Sequence, residues 1–146
     1  MNYEGPSAKP HDSGVAVAVF IERDGKFLMM RRAGSTGSGT WAIPGGAVEY
    51  MEHPDRAAER ELYEETGIQY PRLEFIGYNS DAHVDDQLHY VTLLYKTSDF
   101  KNEPQIMEPH KCTEMGWYTL DELPQPLFHI VSQKLAEPGF INKLKK

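Results

Sequence analysis

Two apolar runs near the start of the chain flank a short polar turn and predict a β-hairpin. In SGVAVAVFIERDGKFLMMRR, which begins at Ser13, the pair Asp24-Gly25 separates the runs, and Asp-Gly between β-type runs favours a tight turn. The first run is apolar on both alternating faces, with Val15, Val17 and Val19 on one and Ala16, Ala18 and Phe20 on the other. Such a strand is typical of the centre of a sheet that is covered on both sides.

A loop and a broken strand follow the hairpin. The segment AGSTGSGT, residues 33–40, consists of small, flexible residues and predicts a loop, either a lid beside a site or a plain surface loop. TWAIPGGAVEY then predicts a short strand that is interrupted by Pro44, Gly45 and Gly46. The flexible backbone of the two glycines can bring a carbonyl or an N–H group to a ligand.

The next segment predicts a helix over about 54–66. Pro54 suits the first helical position, and Asp55 puts negative charge at the positive end of the helix. Gly67 stands where a left-handed C-cap is expected, with the apolar Ile68 after it. The apolar side of the helix would carry Ala57, Ala58 and Leu62.

The remaining chain predicts more strands and a second helix. LEFIGYNS, LHYVTLLYKT and MGWYTL are β-like, whereas the last residues, from Leu127 to Lys146, suggest a helix containing FHIVSQKLA, then a Pro-Gly break and a basic tail. Strands on both sides of one central helix imply an α/β domain, a mixed sheet sandwiched between helices. We expect a flexible arm over residues 1–12 and a single domain over 13–146.

Composition narrows the classes of function. The 146 residues suit one globular domain, and the single Cys112 excludes an intramolecular disulfide and a Cys-rich zinc site, as suits a reducing cytosol. No signal peptide or membrane-length apolar run is seen, so we expect a soluble cytoplasmic protein without a membrane partner. The net charge of −7 argues against a nucleic-acid polymer as partner, but a small phosphate ester can bind an acidic protein through a divalent cation.

Carboxylates cluster on one face of the predicted helix. At 100° per residue, Glu64 lies about 60° to one side of Glu61 and Glu65 about 40° to the other. Like charges at these spacings repel, and a divalent cation held between them removes the repulsion. Arg60 stands four residues before Glu64 and can hold that carboxylate in one rotamer. A purely solvated charged face is the alternative.

The spacing of these residues resembles a known family. Gly46, five residues, Glu52, seven residues, then Arg60-Glu61-Leu62-Tyr63-Glu64-Glu65-Thr66-Gly67-Ile68 fits every fixed position of the Nudix box, G-x5-E-x7-R-E-U-x-E-E-x-G-U. The resemblance implies the Nudix fold and a Mg²⁺- or Mn²⁺-dependent hydrolase of a nucleoside diphosphate linked to another group. It also implies that the box forms a loop, a helix and a second loop.

The resemblance assigns roles to residues of the box. Glu61, Glu64 and Glu65 look like the metal ligands, and the Gly45 carbonyl like a further one. Glu52 is expected to support the start of the helix through Arg60. The general base is expected to be Glu61 or Glu64, and a fourth acidic ligand could come from Glu108 or Glu114, each of which could equally be a surface acid.

Segments outside the box resemble the MutT-type nucleotide diphosphatases, closest to the eukaryotic branch that hydrolyses nucleoside triphosphates, including oxidised and modified guanine nucleotides. They are RRAGSTGSGTWAIPGG, HYVTLLYK and EPQIMEPHKCTEMGWYTLDELPQPLF. By this resemblance Arg32 points at the phosphates, Gly46 and Thr92 help to bind the substrate, and Phe128 stacks near the base. Trp41 could lie at the pocket rim or in the core. Ala42 and Ala47 stand where the eukaryotic relatives carry Gln and His, which suggests a less discriminating pocket.

The expected reaction converts a nucleoside triphosphate and water to a nucleoside monophosphate and pyrophosphate. Another diphosphate, such as a nucleotide sugar, a dinucleoside polyphosphate or an isoprenoid diphosphate, stays open as substrate. A non-catalytic nucleotide-binding module would predict a damaged box, and this box is intact. Because related enzymes are often homodimers, a homodimer is the oligomeric state that the resemblance suggests.

Overall fold

The structure is a computed structural model that describes residues 13–83 and 88–146. The arm predicted over residues 1–12 lies outside the described residues, and the domain boundary at 13 stays a prediction. The strands are β1 (Ser13–Arg23), β2 (Lys26–Arg32), β3 (Trp41–Ala42), β4 (Gly45–Ala47), β5 (Glu74–His83), β6 (Leu88–Thr97) and β7 (Cys112–Tyr118). The helices are α1 (Pro54–Thr66), α2 (His129–Leu135) and α3 (Phe140–Lys145), with a 3₁₀ turn at Leu120–Glu122.

The strands form a mixed sheet with β1 at its centre. Neighbouring strands run in the order β3-β2-β1-β6-β5, while β4 pairs with β1 and β7 pairs with β2. β1 is antiparallel to β2 and β4 and parallel to β6. The predicted hairpin is confirmed, because Arg23 pairs with Lys26 across a turn in which Asp24 and Gly25 both have positive φ, 54° and 80°.

Both faces of β1 are buried in its central part, from Val17 to Ile21. One face contributes to a core with α1, and the other contributes to a core with α2 and α3. This arrangement confirms the predicted α/β class, with a mixed sheet between helices. The prediction of two covered faces is wrong at the start of β1, where Val15 is 42% exposed.

Helix α1 has the boundaries that its capping residues predict. The His53 side chain accepts a hydrogen bond from the Asp55 N–H group, Pro54 opens the helix, and Gly67 closes it in the left-handed conformation with φ of 78°. The described chain contains no helix long and apolar enough to cross a membrane.

The C-terminal segment contains one helix more than the sequence predicts. The basic tail forms α3, whose Phe140 and Leu144 are each about 1% exposed in the core below the sheet. The few apolar residues of this segment are interrupted by lysines, so the sequence gives little indication of a helix. Burial against the sheet stabilises the helix.

Candidate active site

The two glycines of β4 are packed against neighbouring groups. The Gly46 Cα lies so close to the Glu61 carboxylate that a Cβ there would overlap it. A Cβ on Gly45 would instead overlap the backbone of β1 at Val17 and Ala18. The glycines therefore let the strand pass between β1 and the acidic face of α1, so that Glu61 lies directly over the turn.

Two carboxylates on this face are largely withdrawn from solvent. The Glu61 side chain is 14% exposed, and Glu65 Oε1 accepts a hydrogen bond of 3.1 Å from the Gly45 N–H group. Burial raises the pKa of both carboxyl groups, and the negative charge of Glu61 raises the pKa of Glu65 further. The protein alone therefore compensates the negative charges of Glu61 and Glu65 only in part.

Arg60 ties the acidic face to the preceding loop. Its Nε and Nη2 atoms donate to the two Glu52 oxygens at 2.8 and 3.0 Å, and Nη2 also donates to the Ala47 carbonyl at 3.0 Å. Nη1 donates to Glu61 at 3.0 Å and to Glu64 at 3.1 Å. The hydrogen bonds from the guanidinium lower the pKa of Glu52 to about 2. The predicted contact between Glu52 and Arg60 is thus present.

The donor set fits a hard divalent cation. Glu61, Glu64 and Glu65 supply carboxylate oxygens, which Mg²⁺ and Mn²⁺ prefer, and the first and last of these share a buried, charge-rich position. Over the described ranges, no three acidic, histidine or cysteine side chains already stand in a metal-binding arrangement. Glu64 is bonded to Arg60 instead, and its side chain, 46% exposed, has room to turn.

The two candidates for a further acidic ligand have different surroundings. Glu114 forms an ion pair with Arg31, with Nη1 and Oε1 at 2.8 Å. The Glu108 charge, by contrast, acts on Glu65 and raises the pKa of that carboxyl group. Glu108 also has a cationic neighbour, since its Oε1 atom is 3.8 Å from Lys111 Nζ, so the two acids differ in their effect on Glu65.

A cavity of about 230 Å³ opens on the other side of the glycine turn. Its walls are mostly apolar, and they include Ala16, Ala18, Ala42, Ala47, Ile43 and Val131. Gly45, Gly46 and Arg32 line both this cavity and the cleft that contains Glu61 and Glu65. The two spaces thus meet at the glycine turn.

Arg32 lies at this junction and packs on Phe128. Its guanidinium carbon is 4.1 Å from the centre of the Phe128 ring, and its Nε donates to the Thr36 carbonyl at 2.9 Å. Burial lowers the pKa of Arg32, and the Glu65 charge opposes that shift. Phe128 lines the cavity, but Arg32 covers one face of the ring to which the resemblance assigned stacking near a base.

The loop over residues 33–40 is tied to the end of β2. The Arg32 N–H group donates to the Thr40 carbonyl, and the Gly39 N–H group donates back to the Arg32 carbonyl, both at 2.8 Å. Trp41, just after the loop, is 7% exposed in the core and contacts Tyr118 edge to face. Of the two interpretations of Trp41, the structure therefore favours the core.

Among the described residues, four polar or charged side chains line the cavity, and the resemblance pointed to Arg32 and Thr92. Thr92, which the resemblance assigned to substrate binding, lies in the cavity wall on β6. Asp81 and Tyr90, which pair across β5 and β6, also line it. No linear motif contains Asp81, since its approach to the cavity depends on the pairing of β5 with β6. The alternation of β5 is the one available signal, because it turns Asp81 and Asn79 to the same face.

Comparison with known proteins identifies relatives of the whole domain. The family model described as NUDIX domain matches residues 11–137. A MutT-like protein of Streptomyces ambofaciens is 28% identical over 134 residues, covering 92% of this chain and 80% of that protein. An ADP-ribose pyrophosphatase of Methanocaldococcus jannaschii is 31% identical over 114 residues, covering 78% of this chain and 66% of that protein.

A solved structure shows the same fold. The crystal structure of a MutT NUDIX hydrolase from Burkholderia pseudomallei superposes with a TM-score of 0.81 at 34% identity, covering 84% of this chain and 95% of that one. This similarity confirms the expected fold and the resemblance to MutT-type proteins. It leaves the roles of individual residues as predictions.

Proposed function

The chain belongs to the Nudix family and is a pyrophosphohydrolase, and on that premise we propose that it hydrolyses a nucleoside triphosphate to the monophosphate and pyrophosphate. One observation carries the choice of substrate. The acidic cleft and the 230 Å³ apolar cavity meet at Arg32, Gly45 and Gly46. A nucleotide has a matching division, with an apolar base at one end and a charged polyphosphate at the other.

The acidic face of α1 is the proposed metal site. Glu61, Glu64 and Glu65 would hold Mg²⁺ or Mn²⁺, together with the Gly45 carbonyl. Glu108 is the better candidate for an additional ligand than Glu114, because its charge acts on Glu65. Such an ion would supply positive charge against the diphosphate and a water of lowered pKa as the nucleophile toward phosphorus.

The protein's own groups would orient the reactants. Arg60 is held by its two hydrogen bonds to Glu52, and it orients Glu61 and Glu64. One of these two glutamates is the proposed general base. Arg32, between cleft and cavity, would bind phosphate and bring positive charge to an otherwise acidic site. With the base in the cavity, the inner phosphates lie nearest the carboxylates, so pyrophosphate is the expected leaving group.

A second candidate substrate is ADP-ribose, since the relative from Methanocaldococcus jannaschii is described as an ADP-ribose pyrophosphatase. ADP-ribose also joins an apolar base to a diphosphate and would use the same two spaces. We propose a cytoplasmic location and small-molecule partners alone, with a homodimer as the form to test by sedimentation.

A substrate panel with Mg²⁺ tests the proposal. The panel contains the four dNTPs, 8-oxo-dGTP, ADP-ribose, a nucleotide sugar and a dinucleoside polyphosphate, compared by kcat/KM, with products identified by ³¹P NMR. The triphosphates should rank first and release pyrophosphate. A higher kcat/KM for ADP-ribose than for the triphosphates would identify ADP-ribose as the preferred substrate and refute the proposed one. Release of orthophosphate as the first product from dGTP would refute the proposed alignment of the phosphates. Glu61→Gln serves as the control that loses turnover by orders of magnitude.

A further inference from the structure

The cavity contains one buried acid that no role in the proposed reaction uses. Among the described residues that line it, the polar or charged side chains are Arg32, Asp81, Tyr90 and Thr92. Arg32 belongs to the phosphate side, because it also lines the acidic cleft. Asp81 is therefore the one acidic side chain among the described residues that line the cavity.

Asp81 is held in a defined place by its neighbours. Its residue is 4% exposed, and its Oδ1 atom is 2.6 Å from Nε2 of His129, at the start of α2. The carboxyl oxygen of Asp81 accepts this hydrogen bond from the His129 imidazole. A carboxylate has about four acceptor sites and can accept hydrogen bonds from more than one group at a time.

The floor beneath Asp81 suits a flat ring. Ala47, Ala16 and Thr92 are direct neighbours across β4, β1 and β6. Their short side chains leave a shallow surface at the centre of the sheet. The Tyr90 ring packs directly on the Gly14 backbone beside this surface, since a Cβ on Gly14 would lie only 2.9 Å from the ring carbon Cε1.

We propose that Asp81 reads the base of the substrate and selects bases that carry an exocyclic amino group. This inference rests on the proposed function and names its specificity-determining residue. The amino groups of cytosine and adenine are hydrogen-bond donors, whereas the corresponding groups of uracil and hypoxanthine are oxygen acceptors. A buried carboxylate accepts from the amino group and repels the oxygen.

Two pairs of nucleotides isolate this single group. CTP and UTP, and likewise ATP and ITP, are compared by kcat/KM in the wild-type enzyme and in Asp81→Asn. Because a hydrogen bond to a buried charge is at stake, the wild type should favour the amino member of each pair by at least about tenfold. In Asp81→Asn the amide would turn its oxygen to His129 and its NH₂ group to the cavity, and both ratios should fall below about threefold or invert. Asp121→Asn is the matched control, because Asp121 is exposed and does not line the cavity.

Binding of the monophosphates separates this inference from the proposed reaction. Dissociation constants for CMP against UMP and for AMP against IMP are measured by calorimetry without a divalent ion. If triphosphates are not hydrolysed but the monophosphate ratios behave as above, the reaction is refuted and base selection by Asp81 stands. If triphosphates are hydrolysed while the wild-type ratios are near one, or while Asp81→Asn leaves them unchanged, base selection by Asp81 is refuted and the reaction stands. If Asp81→Asn fails to fold, wild-type ratios near one still refute base selection by Asp81.

Discussion

Replacing Thr92 by valine should stabilise the protein. Thr92 is 2% exposed, and within the described residues its hydroxyl oxygen is buried without a hydrogen-bond partner. A buried polar group that lacks a partner costs about 1–3 kcal/mol relative to a satisfied one. Valine has nearly the same shape and no hydroxyl, so Thr92→Val should raise the free energy of unfolding by about that amount.

The expected gain is large enough to measure. For domains near this size, 1 kcal/mol shifts Tm by about 2–4 °C. We therefore expect Thr92→Val to raise the Tm of the protein without ligand by several degrees, and to raise the midpoint of urea unfolding with an unchanged m-value.

Thr97 provides the matched control. It lies on the same strand and is also 2% exposed, but its hydroxyl donates to the Asp99 carbonyl at 3.1 Å. Thr97→Val should therefore lower the free energy of unfolding by about 0.5–1.5 kcal/mol. If Thr92→Val lowers Tm as much as Thr97→Val does, the Thr92 hydroxyl is satisfied in the folded protein and the reasoning is wrong.

Three further predictions concern the acidic cleft. Gly46→Ala should keep the fold but reduce kcat strongly, because the added Cβ displaces the Glu61 carboxylate. Gly45→Ala should instead unfold at a lower temperature, because its added Cβ overlaps the backbone of β1. Melting curves and initial rates, measured for both variants, distinguish the two effects. EDTA should abolish turnover and Mg²⁺ or Mn²⁺ should restore it, because the proposed site binds the polyphosphate through a divalent ion. Turnover that persists in EDTA would refute the metal site. Glu52→Gln should reduce stability at pH 7. Because Arg60 depresses the pKa of Glu52 from 4.5 to about 2, the stabilisation is present above about 4.5 and lost as pH falls toward 2, so urea midpoints of the two proteins should converge at low pH.

Features governed by residues close together in the chain were predictable from the sequence. The hairpin follows from Asp24-Gly25, and the bounds of α1 follow from Pro54 and Gly67, because turn and cap conformations depend on a few adjacent residues. The shared face of the three box carboxylates follows equally from helical periodicity. α3 escaped prediction, because a six-residue helix has little stability apart from the core that covers it.

What the sequence alone determined is therefore the set of local elements, the acidic face of α1 and, through the spacing of the box, the family. The tertiary structure decided what surrounds that face. Parallel pairing of β1 with β6 brings Ala16 beside Thr92, and antiparallel pairing of β5 with β6 brings Asp81 beside Tyr90. Packing of the C-terminal segment places the Phe128 ring against Arg32. The same packing brings His129 into contact with Asp81, which lies 48 residues earlier in the chain. Such contacts arise from strand register and from the packing of helices on the sheet, and no local pattern in the sequence encodes them.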